Sequence, residues 1–234
     1  MLYAAYRSAQ KGGQHEKENK RIIVLASGGG GTMKFLHRYS QIADAPYEIK
    51  SIIADRDCGA VDYGNANGMM TKVIKPWRSR IPEVVEDIRS INPDIVITNI
   101  SKILPEEVFT CCKATFINLH YSLLPSFGGV IGFKTVEMAK EKQSRIIGAT
   151  CHLVTAELDG GPILAQGAMP VDWSEEIESI EKNVFRIACK SILVAIMNLC
   201  DIKNSMASSD GFMYSPSLNF DDKLLNESFW ASTL

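Results

Sequence analysis

Ile22-Ile23-Val24-Leu25-Ala26-Ser27-Gly28-Gly29-Gly30-Gly31-Thr32 is the stretch on which the fold turns. Four apolar residues in a row, with no polar alternation, describe a buried strand. The glycines that follow form a turn, and a helix comes after them. Consecutive backbone N–H groups ahead of a helix N-terminus make a general anion cradle, here over Ser27, Gly28, Gly29, Gly30, Gly31 and Thr32. The run is not G-x-x-x-x-G-K-[ST], so it is no P-loop. Met33 stands at the sixth position of G-x-G-x-x-G, which leaves a nicotinamide-dependent dehydrogenase with weak support. A phosphate or carboxylate site and a plain strand-to-helix turn are both open readings of the loop.

Further along the chain, strands and helices alternate. Ile49 to Ala54 is expected to form a second strand. Ile81, Val84, Val85, Ile88 and Ile91 recur at helical spacing, with Pro82 in a favoured first-turn position. Ile95-Val96-Ile97 and Thr115 to His120 are further strands. This order predicts an α/β fold, a Rossmann-like, doubly wound, mostly parallel sheet with helices on both faces. Ile146 to Val154 and Ile163 to Val171 are two extended runs joined through Leu158-Asp159-Gly160-Gly161-Pro162, which makes them strand partners. A long helix follows, with Ile177, Ile180, Val184, Ile187 and Ala188 as its apolar stripe and Asp172 or Ser174 as its expected cap. The predicted organisation is a flexible arm over 1–20, a catalytic domain over 21–203 and a tail over 204–234. Phe229 and Trp230 imply that the tail's end docks on something.

The chain has 234 residues, 46% hydrophobic and 22% charged, with a net charge of -2. That is ordinary for a soluble globular protein. The charge gives no bulk attraction to nucleic acid or anionic membranes. No apolar stretch reaches the roughly 18 residues that cross a bilayer. Residues 1–20 lack the roughly 7–15-residue apolar core of a signal peptide. A cytoplasmic protein is expected. None of the six cysteines forms a C-x-x-C pair, so no metal site is expected.

Three residues far apart could do chemistry. Asn118 and His120 are two apart on one strand, so their side chains share a face. They lie at the strand's C-terminal end, where ligands of open α/β sheets bind. An Asn amide and a protonated His make two donors for one carbonyl oxygen that turns negative as a nucleophile adds. A carboxylate in a glycine turn, as Asp159 is, is usually just a turn former. Near His120 it would stabilise the imidazolium and accept a proton. His152 could face the same cavity, although a lone His in an apolar strand is ordinarily a core residue.

Ile117-Asn118-Leu119-His120-Tyr121-Ser122-Leu123-Leu124-Pro125 resembles the N-x-H-x-S-x-L-P segment of the formyltransferase family. Gly148 to Val154 through Leu158-Asp159-Gly160-Gly161-Pro162-Ile163 resembles its second signature. The likeness runs from about Arg21 to Leu199. It implies 10-formyltetrahydrofolate as formyl donor, a small-molecule amine as acceptor and no metal. Asn118 and His120 match the family's carbonyl-polarising pair, and Asp159 its carboxylate; His152 and Ser122 are candidates for a supporting role beside them. Lys102, Ile103 and Leu104, with Val154, Thr155, Ala156, Glu157 and Leu158, match the segments that line the pterin pocket. Ser27 to Thr32 match a substrate-phosphate loop. The chain departs from the ribonucleotide enzymes' pattern at Tyr121, where they have Pro, and at Lys102, where they have Arg. Leu124-Pro125-Ser126-Phe127 looks like the deformylase of the same family, so formyltetrahydrofolate hydrolysis is the alternative. A non-catalytic folate-binding protein is the remote one. The identity of the amine and the oligomeric state, a homodimer included, are left open.

Overall fold

A computed structural model describes residues 18–231 and Thr233. The arm expected over 1–20 falls, except for its last three residues, outside the described residues. Eight strands form one mixed sheet in the order β3-β2-β1-β4-β5-β6-β7-β8. They are β1 (Lys20–Ala26), β2 (Tyr47–Ala54), β3 (Met70–Val73), β4 (Ile95–Asn99), β5 (Thr115–His120), β6 (Ile146–Leu153), β7 (Ile163–Pro170) and β8 (Met213–Ser215). The first five are mutually parallel. From β5 onward each neighbouring pair is antiparallel. The α/β architecture expected from the sequence is the one observed.

Helices are α1 (Gly31–Ala43), α2 (Gly59–Ala66), α3 (Ile81–Ile91), α4 (Glu106–Phe109), α5 (Lys134–Glu141), α6 (Ile177–Leu199) and α7 (Glu227–Ala231). Both faces of the sheet are covered, and β1 shows why its residues are apolar without alternation. Ile22, Val24 and Ala26 join the cluster containing α1 and α6. Ile23 and Leu25 join the opposite cluster containing α3. A strand buried on both sides has no solvent face to mark with polar residues. No helix among the described residues is long and apolar enough to cross a membrane.

The cap expected for α6 is a correction. Neither Asp172 nor Ser174 caps it: the helix starts at Ile177 with Glu176 at its N-cap, without a side-chain bond. Asp172 instead accepts from Ser174 N at 2.9 Å in the preceding turn. A carboxylate two residues before an N–H closes that local turn, which competes with capping.

Residues 204–231 pack on the domain. β8 pairs with β7. Trp230 stacks on Phe35 of α1, with ring centroids 5.3 Å apart, and meets Phe185 of α6 edge-on at 6.5 Å. Lys190, buried in mid-α6, donates to Asp210 at 2.8 Å and Asp222 at 2.6 Å.

Candidate active site

The antiparallel register of β5 and β6 assembles the centre. Asn118 lies opposite His152, and His120 opposite Thr150. Cross-strand partners of this kind share one face of the sheet. An irregularity in the β6–β7 pairing falls between Cys151 and His152. Such bulges re-aim a side chain. Asp159, in the connection after β6, has a positive φ of 53°, a conformation that Asp tolerates better than most residues.

The carboxylate of Asp159 stands between two imidazoles. His120 Nδ1 is 3.3 Å from Oδ2, and His152 Nε2 is 3.5 Å from Oδ1. The second contact is too poorly aligned for an ordinary hydrogen bond, since Nε2 of His152 has no bonded partner; it acts as a close polar contact. Gly129 N–H donates to Oδ2 at 2.7 Å. The rings' other nitrogens face backbone carbonyls, His120 Nε2 at 2.9 Å from Phe127 O and His152 Nδ1 at 2.9 Å from Leu153 O. A carbonyl only accepts, so both nitrogens carry hydrogen. Asp159 therefore meets, on each ring, the nitrogen that the backbone leaves free. The His152 imidazole is the largest influence holding the Asp159 carboxyl below the usual range. Burial works against it, and the Gly129 N–H and His120 reinforce it. The centre is covered, with the His120 side chain 6% and the Asp159 side chain 11% exposed.

The DGGP turn is fixed by space. A Cβ at Gly161 would overlap the Leu153 carbonyl, whereas one at Gly160 would meet only the flexible Glu157 side chain. Gly161→Ala is expected to cost about 1–3 kcal/mol, the usual range for overpacking. Gly160→Ala should stay within about 1 kcal/mol; thermal unfolding of the two variants checks the contrast.

Other residues picked from sequence are distributed differently. Asn118 Nδ2 donates to Thr98 O at 2.7 Å and lies 2.9 Å from Thr98 Oγ1. Ser122 is buried and donates to Ser126 O, pinning the loop after β5. Lys102 Nζ lies 3.7 Å from Asp55 Oδ2. The Arg56 guanidinium, gripping both oxygens of Asp55, holds that carboxyl low against its burial. Ile103 is 81% and Leu158 59% exposed. Leu104 and Val154 pack on one core cluster, and Thr155, Ala156 and Glu157 are exposed.

In the glycine loop, Ser27 Oγ accepts Ser101 N–H at 2.9 Å. Thr32 is buried, its hydroxyl beside Tyr121 and Cys189. Gly30 has φ 73°, and a Cβ there would strike Ala60. Gly28 and Gly29 front open space. Gly29 and Gly31 line a cavity of about 480 Å³ with Lys34, Tyr121, Phe133 and Phe185. Burial pushes the Tyr121 hydroxyl up to about 12.

The sequence reading missed Thr98, Thr150 and Gln166. Thr150 Oγ1 donates to Ser122 O at 2.7 Å, and Gln166 Nε2 bonds Leu124 O at 3.1 Å. Together they hold the loop that carries the Phe127 carbonyl. The available signal was polarity: Thr98 follows three apolar strand residues, and Thr150 and Gln166 interrupt two other strands.

A family model described as formyl transferase matches residues 20–196. The phosphoribosylglycinamide formyltransferase of Arabidopsis thaliana chloroplasts is 29% identical over 201 residues, 81% of this chain and 68% of that protein. The methionyl-tRNA formyltransferase of Geotalea uraniireducens is 30% identical over 66% of this chain; the match spans 49% of that protein. Among solved structures, the phosphoribosylglycinamide formyltransferase of Anaplasma phagocytophilum superposes with a TM-score of 0.68 at 28% identity, over 82% of this chain and 92% of that one. The glycinamide ribonucleotide transformylase 1 of Symbiobacterium toebii shares the fold, with a TM-score of 0.72 at 22% identity over 82% and 94%.

Proposed function

The chain belongs to the formyl transferase family, and from that premise we propose that it moves a formyl group from 10-formyltetrahydrofolate to an amine of a small-molecule acceptor. The observation that carries this reading is the Asp159 carboxylate held between His120 and His152 at the end of β5. Ile103 and Leu158 stand in water, apolar side chains that a flat ring could cover. In this reading the 102–104 and 154–158 segments hold the folate, which supplies the activated formyl group when bound.

His120, as imidazolium, exchanges the Phe127 carbonyl for the formyl oxygen and stabilises its developing charge. Asn118 adds a second donor. Asp159 balances the imidazolium and accepts the proton of the attacking amine, directly or through water. The acceptor occupies the cavity between the glycine loop, Tyr121, Phe133 and Phe185. Its size suits a small molecule. Its lining carries Lys34 and Lys182 together with Glu178 and Glu181, so an acceptor with both an amine and an anionic group fits it, the anion at the glycine loop; relatives named for a ribonucleotide support this reading. Residues 21–203 carry the catalysis, and Thr233 of the segment that follows lines the cavity.

The test is a panel of amines incubated with enzyme and 10-formyltetrahydrofolate and read by mass spectrometry. One amine is expected to gain a single formyl group. Formate release at the same rate with and without every amine would instead establish hydrolysis.

A further inference from the structure

The residue behind Asn118 decides what its amide offers to a reactant. Thr98 lies in β4 and is buried. The paired register of β4 and β5 stops at Ile97 and Ile117, and beyond that point side chains finish the ladder. Thr98 Oγ1 donates to Ile117 O at 3.1 Å, which commits its only hydrogen. Asn118 Nδ2 then faces two acceptors, Thr98 O at 2.7 Å and Thr98 Oγ1 at 2.9 Å. A backbone carbonyl cannot donate, so the amide atom beside it is nitrogen. Both acceptors belong to one residue, whereas the two hydrogens of a planar amide diverge.

We propose that Thr98 is a positioning residue for Asn118: its carbonyl and hydroxyl share one amide hydrogen, lock the amide plane and leave the second hydrogen for the formyl oxygen. The proposal rests on the formyl-transfer reading. It adds a residue that touches neither donor nor acceptor and acts only through Asn118. A Val at 98 keeps the carbonyl and the β-branched shape but loses the hydroxyl. A Ser keeps both acceptors.

The test compares wild type, T98V, T98S, N118A and the double variant T98V/N118A. T98V is expected to lower kcat about tenfold, the scale of one ordinary hydrogen bond, with the KM for 10-formyltetrahydrofolate within about twofold. T98S should restore kcat, and T98V should cost nothing further in the N118A background. A second readout needs no substrate. The Asn118 side-chain amide signal, identified by its loss in N118A, should show slow proton exchange in wild type and T98S and fast exchange in T98V. Unchanged kcat and exchange in T98V would overturn the proposal. So would a T98V loss that persists in full without Asn118. Wild-type turnover by N118A would remove the reading of the site itself, and the proposal with it.

Discussion

An Asp159→Asn variant is expected to fold and to lose formyl transfer by roughly two to four orders of magnitude, the range for removing a positioned acid or base. Asn has the same shape and keeps an oxygen for the Gly129 N–H. What it lacks is the charge that faces His120 and His152. Without it, no carboxylate backs either ring and none takes the amine's proton. Single-turnover kinetics, alongside circular dichroism to establish the fold, measure the loss. Turnover near the wild-type rate would remove Asp159 from the chemistry. A pH experiment gives an independent check. The folded state holds this carboxyl below its ordinary value, so its stabilising contribution is complete above the unfolded value of about 4. That contribution disappears as pH falls through the depressed folded value. The stability gap between wild type and Asp159→Asn should therefore narrow on acidification below about pH 4.

Lys190→Met is expected to give the largest loss of stability, about 3–5 kcal/mol, because it strands two carboxylates beside a buried helix. Asp222 is almost wholly buried with Lys190, and Asp210 is about three-quarters covered. Burial alone would push Asp210 up, but Lys190, Ser208 and the Phe212 N–H outweigh it and hold its carboxyl low. For a domain of this size roughly 2–4 °C accompanies each kcal/mol, so the melting temperature should fall by on the order of 10 °C. The contacts removed tie 208–222 to α6, so limited proteolysis should cut that segment first. A melting temperature within about 2 °C of wild type would show that the cluster contributes little.

The sequence made the strands of the parallel half legible because their burial on both faces leaves unbroken apolar runs. Thr115 to His120 was read with the boundaries that the structure gives β5. Short elements were harder. β3 and β8 have four and three residues, too few to show a period. β8 exists because β7 offers it an edge, information carried by tertiary contact and not by Met213-Tyr214-Ser215. At the site, alternation put Asn118 and His120 on one face, but spacing along a strand says nothing of what lies across it. The opposition of Asn118 and His152 depends on register. Thr98 is invisible as a partner of Asn118 until β4 and β5 lie side by side. The Phe127 carbonyl and the Gly129 N–H belong to backbone, whose direction at positive φ no side-chain pattern encodes.

The change of strand direction at β5 also sets how much chain separates the reactive residues. Asn118, His120, His152 and Asp159 all come from the contiguous β5–β6–β7 meander, whereas β4 reaches β1 only across two intervening strands of sequence. Closing a short loop demands less chain entropy than closing a long one. The reactive residues are therefore tied together by a shorter stretch of chain than the one that joins them to the glycine loop.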